Sequence, residues 1–136
     1  MRWKYMDRKQ LGRLGMSYAI AYYTREGYTI SVPLNDTQWY DLIIEKDGVF
    51  QTVQCKATAT MPSKIDLRST GGTNGGVYDI ATNHPIDKLF CVDAEGNLYD
   101  IPMKDIVDFN ANVKGITLKT IPMSQGFQTY KYLVKM

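Results

Sequence analysis

The dipeptide Asp47-Gly48 constrains the fold of this chain more than any other feature, because it lies between two apolar runs. These runs are YDLIIEK (40–46) and VFQTVQCKA (49–57). Asp-Gly is a preferred pair for the two-residue type I′ turn that joins antiparallel strands. In that turn Lys46 pairs with Val49, and Asp41 lies opposite Gln54. The sequence therefore predicts a hairpin of fixed register, and a slip of one residue would move each side chain to the other face.

This register sorts the hairpin side chains into an apolar face and a polar face. Strand side chains alternate between the faces, so the apolar face collects Tyr40, Leu42, Ile44, Val53 and Cys55. The opposite face gathers Asp41, Gln54 and Lys56 at one end, with Lys56 a diagonal neighbour of Asp41. The apolar set is suited to a core, whereas the polar trio does not help a sheet to pack.

The polar trio matches the chemistry of a divalent-metal phosphodiesterase. Mg²⁺ takes oxygen ligands, often one or two carboxylates completed by water and phosphate, and Mn²⁺ can replace it. Asp41 offers a carboxylate, Gln54 an amide oxygen and Cys55 its backbone carbonyl. Lys56 would then lie beside the attacking water and the scissile phosphate. A simple surface salt bridge between Asp41 and Lys56 is the alternative explanation, and the pattern alone favours it.

The rest of the chain predicts one long helix followed by several short strands. An amphipathic helix is expected over 7–26 and is ended by Gly27. Strands are expected over 28–34, 64–70, 86–93 and 96–103, with a turn at Asn35-Asp36, a glycine-rich loop at 71–76 and a short helix at 104–109. The tail from 116 to 136 suggests a hairpin around 124–126. This order favours an α/β (α+β) layer structure.

Composition sets the broad class of the protein. The 136 residues suit a single domain, and 44% hydrophobic with 22% charged residues is typical of a globular protein. A net charge of +2 neither demands nor excludes nucleic acid. We expect no membrane segment and no signal peptide. Cys55 and Cys91, with His84 the only histidine, are expected to be reduced core thiols in a cytoplasmic protein.

The hairpin and its neighbours resemble a known family. YDLII followed by VFQTVQCKAT resembles the central motif of the PD-(D/E)XK nuclease superfamily, in the variant that has Gln in place of the second acid. LGRLGMSYAIAYYTREGYTISVPL is similar to the opening helix and strand of its group I intron homing endonucleases. KIDLRST and IDKLFCVDAEGNLYDIPMKDI resemble the strand and hairpin that follow there. The resemblance covers roughly residues 10–107.

The resemblance implies a restriction-endonuclease-like core with the N-terminal helix packed on a mixed β-sheet. This core has one helix, a three-stranded meander, a short helical segment and a further strand. We expect a single nuclease-like domain over 1–136, with its core at 7–107 and a β-rich tail at 108–136. The implied activity is Mg²⁺-dependent hydrolysis of double-stranded DNA by an intron or phage homing enzyme. By position Asp41 would hold the metal, Gln54 would replace an acidic ligand, and Lys56 would be the catalytic lysine.

The chain departs from this family pattern at one position. Members of the group usually carry a glutamate in the first helix, where this chain has Gly15-Met16. A thioether is too soft to be a useful Mg²⁺ ligand. Asp36 and Asp7 are candidate replacements, although core packing at helical spacing also explains Met16. The departure leaves a catalytically inactive DNA-binding protein of this fold as an alternative function.

Basic side chains on the first helix and the following strand are candidate contacts for double-stranded DNA. These residues are Arg8, Lys9, Arg13, Lys64 and Arg68, each also explained as a solvated surface charge. A small module buries only about 600–1,000 Å² on DNA, and cutting both strands needs two active sites. We therefore expect a homodimer or homotetramer. A Holliday junction resolvase and a restriction-type nuclease are alternative enzymes on the same core.

Overall fold

The structure is a computed structural model that describes residues 2–35, 38–71, 76–79 and 86–136. Three features considered above lie outside these ranges: Asp36, His84 and the centre of the glycine-rich loop at 72–75. The described elements comprise two α-helices, one 3₁₀ helix and ten strands. The helices are α1 (Arg8–Arg25), α2 (Met103–Phe109) and the 3₁₀ segment Thr129–Tyr132; the strands are β1 (Thr29–Ser31), β2 (Leu42–Lys46), β3 (Val49–Ala57), β4 (Ser63–Asp66), β5 (Arg68–Gly71), β6 (Gly76–Asp79), β7 (Lys88–Val92), β8 (Leu98–Pro102), β9 (Gly115–Leu118) and β10 (Leu133–Val134).

Helix α1 forms where the sequence predicts it, and both of its ends have a local cause. The Asp7 carboxylate accepts a hydrogen bond of 2.9 Å from the Gln10 backbone N–H. The Gln10 side chain in return accepts one of 2.9 Å from the Asp7 N–H, which completes a capping box. The helix ends before Gly27, whose φ of +90° is a conformation that glycine adopts without strain.

Six strands form the main sheet, in the order β1-β2-β3-β7-β8-β10. Neighbouring strands are antiparallel except for β3 and β7, which are parallel. Strands β1, β2 and β3 form the expected three-stranded meander. A helix followed by a mixed sheet confirms the predicted fold class.

The predicted hairpin register is confirmed. Asp47 and Gly48 have φ values of 53° and 81°, as a type I′ turn requires. Pairing runs from Lys46–Val49 to Leu42–Val53. The register therefore places Leu42, Ile44, Val53 and Cys55 in one apolar cluster with α1, whereas Tyr40 of the predicted apolar face lies outside this cluster.

Apolar side chains pack on both faces of the main sheet. The face toward α1 buries Leu42, Ile44, Val53, Cys55 and Phe90 together with Tyr22 and Tyr23 of the helix. The other face buries Leu67, Leu89, Cys91 and Ile101 under β4, β9 and α2. Cys55 and Cys91 are buried free thiols on opposite faces, so they are core residues as expected.

The predicted strand over 64–70 is divided into two strands of different sheets. Asp66 accepts a hydrogen bond of 2.8 Å from the Arg68 backbone N–H, and the intervening Leu67 N–H donates to the carbonyl of Lys114 at 2.9 Å. The chain therefore leaves the pairing of β4 with β9 at Leu67 and begins the hairpin of β5 and β6. Ile65 and Leu67 are nevertheless both buried, as the alternation predicts.

The tail hairpin predicted around 124–126 is wrong. Strand β9 pairs with β4, and β10 pairs with β8 at the edge of the main sheet, so the two tail strands do not pair with each other. The Gln128 side chain instead closes the intervening segment, bonding the N–H and carbonyl of Met123 at 2.8 and 2.9 Å. The strand expected over 28–34 is also shorter, at three residues.

The short helix predicted over 104–109 is confirmed, because α2 follows β8. The resemblance also implies a short helical segment after the three-stranded meander. No helix is found among the described residues between β3 and β7. The description of 1–136 as a single domain, with a core and a tail, stays a prediction. No described helix has the length and apolar character that crossing a membrane requires.

Candidate active site

A cleft of about 740 Å³ lies between the first half of α1 and the adjoining ends of β2 and β3. We call it the basic cleft because most of its charged side chains are cationic. Its walls contain the predicted polar trio of the hairpin together with the predicted basic residues of the helix. The lining residues are Arg8, Lys9, Leu11, Gly12, Arg13, Met16, Asp41, Gln54, Cys55, Lys56 and Ala57.

Asp41 is fixed at the point where the regular ladder between β2 and β3 ends. The last regular pair is Leu42–Val53, one pair earlier than predicted. Beyond it the Asp41 N–H donates to the Val53 carbonyl at 2.8 Å, and the Cys55 N–H donates to the Asp41 carboxylate at 2.8 Å. These two hydrogen bonds use the backbone of the residues immediately before and after Gln54. The structure therefore brings Asp41 beside Gln54 through its side chain rather than through a further strand pair.

Burial and charge act on the Asp41 carboxyl in opposite directions. Burial raises its pKa above the ordinary value of 3.8, whereas the hydrogen bond from the Cys55 backbone N–H and the nearby positive charge of Lys56 lower this pKa. Burial is the largest of these effects, so the net shift is upward. A ligand that favours the ionised form, such as a cation, would oppose this shift.

The side-chain amide of Gln54 is free to bind a ligand. The residue is 9% exposed and lines the basic cleft. Its side-chain amide forms no hydrogen bond with another described residue. Every buried polar side-chain atom in the described part of the chain has a hydrogen-bond partner, so the amide atoms of Gln54 are not among the buried ones. The polar end of Gln54 therefore retains contact with the cleft rather than being sealed in the core.

Lys56 is half-buried, and its ammonium forms no ion pair with Asp41. The alternative of a simple Asp41–Lys56 salt bridge is therefore not what the structure contains. The ammonium is still close enough to lower the pKa of Asp41. A cation near the carboxylate but not bonded to it can donate to a third group in the cleft.

At Gly15 helix α1 packs on the end of β3, where a small residue is needed, a feature that our sequence reasoning missed. A Cβ atom at this position would lie 3.4 Å from the Lys56 carbonyl carbon and 3.5 Å from the Ala57 Cβ. The close packing places the helix directly over the Lys56–Ala57 backbone. A glycine inside an otherwise regular helical pattern is the signal that can identify such a contact.

Met16 faces the site as well as the core. It lines the basic cleft and also a smaller cleft of about 240 Å³, which it shares with Asp41. It packs in addition against the apolar cluster between α1 and the sheet. Of the two carboxylates suggested as replacements for a helix glutamate, Asp7 caps α1 and does not line the cleft, and Asp36 lies outside the described residues.

The candidate DNA contacts fall into two groups. Arg8, Lys9 and Arg13 are exposed side chains that line the basic cleft. Lys64 and Arg68 lie on β4 and β5 and do not line it. Arg68 also forms an ion pair with Asp66 at 3.2 Å. The helix residues are therefore the basic groups that the structure brings close to the polar trio.

The oxygen donors of the cleft suit a hard cation but supply little negative charge. Asp41 is the one carboxylate among the described lining residues, and Gln54 and the Cys55 backbone add neutral oxygens. No cluster of three His, Cys, Asp or Glu side chains suited to a metal occurs in the described ranges. The donor chemistry fits Mg²⁺ or Mn²⁺, although further ligands must come from outside the described chain.

Comparisons with known proteins identify the family of the chain and a solved structure of similar fold. The family model for the PD-(D/E)XK endonuclease matches residues 6–129. The fold is similar to the solved structure of a bacterial homing endonuclease, I-Ssp6803I, with a TM-score of 0.69 and 20% sequence identity over 94% of this chain and 89% of that chain. No curated protein matches the chain. The family match covers most of the sequence and includes both α1 and the hairpin, and the chain therefore belongs to the PD-(D/E)XK endonuclease family.

Proposed function

We propose that this chain is a Mg²⁺-dependent endonuclease that hydrolyses phosphodiester bonds in double-stranded DNA. The observation that carries the proposal is the convergence of Asp41, Gln54 and Lys56 at one end of the basic cleft. A carboxylate, a neutral oxygen donor and an ammonium group in one cleft suit metal-assisted phosphoryl transfer. Nuclease chemistry agrees with the family to which the chain belongs.

Asp41 and Gln54, with the Cys55 backbone, would hold the metal ion. When bound, Mg²⁺ would offset negative charge on the phosphate and make a water molecule more acidic. Asp41 is suited to this role because its bonds to the Val53 carbonyl and Cys55 amide fix the carboxylate before any ligand arrives. Such preorganisation reduces the ordering that binding would otherwise require. Mn²⁺ is an expected substitute.

Lys56 would act on the scissile phosphate and the attacking water. Lys56 lines the same cleft and its ammonium forms no ion pair with Asp41, so it would be available to donate to a phosphate oxygen or to orient a water. Gly15 supports this arrangement, because it packs α1 against the backbone of Lys56. Lys56 is therefore the proposed catalytic lysine.

The helix side of the cleft would hold the DNA backbone. Arg8, Lys9 and Arg13 present positive charge along one wall, which is the usual way in which proteins contact phosphates. Lys64 and Arg68 would contribute more peripheral contacts. A single small module offers little surface, so a homodimer or homotetramer would supply the second active site and a longer footprint.

The biological role that we favour is intron or phage homing. Its support is the fold similarity to a bacterial homing endonuclease. A Holliday junction resolvase or a restriction-type nuclease would use the same chemistry on another DNA structure or sequence. Met16 favours a third alternative, a DNA-binding protein of this fold without catalysis, because it lines the same clefts as Asp41 and its thioether is a poor ligand for Mg²⁺.

Incubation of the purified chain with supercoiled plasmid, linear duplexes and a four-way junction tests these functions together. We expect nicking or cutting in Mg²⁺ or Mn²⁺ and none when EDTA is added. Preference for the four-way junction would favour the resolvase, whereas cutting at few sites in long duplex DNA would favour homing. DNA binding without cleavage in either metal would contradict the proposal and favour the inactive DNA-binding protein.

A further inference from the structure

The basic cleft has more positively than negatively charged side chains among its lining residues. Four basic side chains line it, Arg8, Lys9, Arg13 and Lys56, against the single carboxylate of Asp41. Unit charges 4 Å apart interact by about 1 kcal/mol in water and about 4 kcal/mol near a protein surface. A divalent cation entering the free cleft thus meets more repulsive groups than attractive ones. An anion entering the free cleft meets more attractive groups than repulsive ones.

Other carboxylates near the cleft are engaged elsewhere in the described part of the chain. Asp7 accepts a hydrogen bond from the Gln10 backbone at the start of α1. Asp66 is paired with Arg68 at 3.2 Å and does not line the cleft. These groups therefore do not supply the second negative charge that a metal ion would need.

Met16 is the residue of α1 that lines two clefts together with Asp41. It lines both the basic cleft and the smaller cleft that contains Asp41, so a polar side chain of similar length, such as that of glutamate, would reach the same space. The thioether offers neither charge nor a hard ligand atom. Position 16 would therefore offer no ligand atom to a metal ion held by Asp41.

We propose that the cleft binds a DNA phosphate before it binds a metal ion, and that Met16 sets this order. The proposal rests on the proposed function, because it takes a DNA phosphate as the first occupant. A phosphate reduces the excess positive charge and adds oxygen ligands beside Asp41 and Gln54. The metal then joins only the protein–DNA complex. Because coupling is reciprocal, the metal must tighten DNA binding by the same factor.

Mn²⁺ titration followed by electron paramagnetic resonance tests this order without relying on cleavage. The signal of free Mn²⁺ is measured with protein alone, with protein and a short mixed-sequence duplex at low ionic strength, and with the duplex alone for subtraction. Mixed sequence is sufficient because phosphate contacts at low salt do not depend on base sequence. We expect Mn²⁺ to bind the complex at least about tenfold more tightly than the free protein, or about 1.4 kcal/mol.

Substitution of Met16 tests its part in the order. Met16→Glu adds a carboxylate on the cleft, and we expect it to raise Mn²⁺ affinity of the free protein by about tenfold or more and to reduce the effect of DNA. Met16→Gln is the matched neutral variant: it adds an oxygen donor but no charge, so it should raise Mn²⁺ affinity much less than Met16→Glu does. Ser17→Glu adds the same charge at an exposed position of α1 outside the cleft, and it should leave Mn²⁺ affinity unchanged. Thermal melting establishes that each variant is folded.

The possible results separate this inference from the proposed function. Equal Mn²⁺ affinity with and without DNA would overturn the order of binding, even if the same samples show cleavage on a gel. Equal affinity of Met16→Glu and Met16→Gln, both folded, would overturn the part assigned to Met16. Coupled binding without cleavage would support the inference while contradicting the nuclease function.

Discussion

The Asp41 carboxylate accepts a hydrogen bond of 2.8 Å from the backbone N–H of Cys55, the residue that precedes Lys56. One side chain thus satisfies a buried strand amide and supplies the only carboxylate among the described residues of the basic cleft. Asp41 therefore has a structural role and a proposed catalytic role, and two substitutions can separate them.

Asp41→Ala and Asp41→Asn should have different effects on stability but the same effect on cleavage. Alanine leaves the buried Cys55 N–H without an acceptor, at a cost of about 1–3 kcal/mol in unfolding free energy, whereas asparagine retains an oxygen. Both remove the charged ligand, so we expect each to reduce cleavage by roughly 100-fold or more. Urea denaturation and cleavage rates measure the two effects. Equal stability of the two variants would contradict the hydrogen-bond role.

The pH dependence of stability should also differ between the wild type and Asp41→Asn. Burial raises the Asp41 pKa above 3.8, so the folded chain binds this proton more tightly than the unfolded chain. The resulting stabilisation is complete below pH 3.8 and is lost as the pH rises through the folded pKa. The unfolding free energy of Asp41→Asn relative to wild type should therefore increase from acidic to neutral pH. A difference that stays constant across this range in urea denaturation would show that the raised pKa is incorrect.

Arg13→Ala should weaken DNA binding more than Arg68→Ala. Arg13 lines the basic cleft, whereas Arg68 lies outside it and is paired with Asp66. Loss of one phosphate contact reduces the slope of log K against log salt concentration by about 0.9. We expect that change for Arg13→Ala and a smaller one for Arg68→Ala, measured by fluorescence anisotropy. The opposite ranking would move the proposed DNA path from α1 toward β5.

Gly15 should tolerate alanine but not leucine. A Cβ atom meets the Lys56 and Ala57 backbone region at ordinary contact distances, and alanine favours a helix interior by about 0.5–1 kcal/mol over glycine. The further carbons of leucine would push α1 away from β3, at about 1–3 kcal/mol, and would disturb the cleft. Melting temperature and cleavage rate should both fall for Gly15→Leu. Full activity of that variant would indicate that the close approach does not position the site.

The parts of the fold that can be predicted from the sequence are those with a local cause. The Asp47-Gly48 turn fixes the hairpin register, and the Asp7–Gln10 capping box and Gly27 fix the ends of α1. The tail is different, because β9 and β10 pair with distant strands and its turn-like residues are closed by the Gln128 side chain. The sequence of a short segment does not indicate which distant strand it pairs with.

The candidate site shows the same division. Grouping Asp41, Gln54 and Lys56 needs only the hairpin register and the alternation of strand side chains. The bond from Cys55 to the Asp41 carboxylate depends on the ladder ending early, and the Gly15 contact depends on how α1 crosses the sheet. Neither can be derived from local pattern, since both follow from the packing of separate elements.

The rate of DNA cleavage by Lys56→Ala, beside wild type and Lys64→Ala, tests the central claim most directly. Lys56 lines the basic cleft, whereas Lys64 is an exposed lysine on β4 outside it. The two substitutions therefore remove the same side chain from inside and from outside the cleft. With Mg²⁺ and saturating DNA we predict a loss of roughly 100-fold or more for Lys56→Ala and near wild-type cleavage for Lys64→Ala. Cleavage by a folded Lys56→Ala at the wild-type rate would contradict the proposed site.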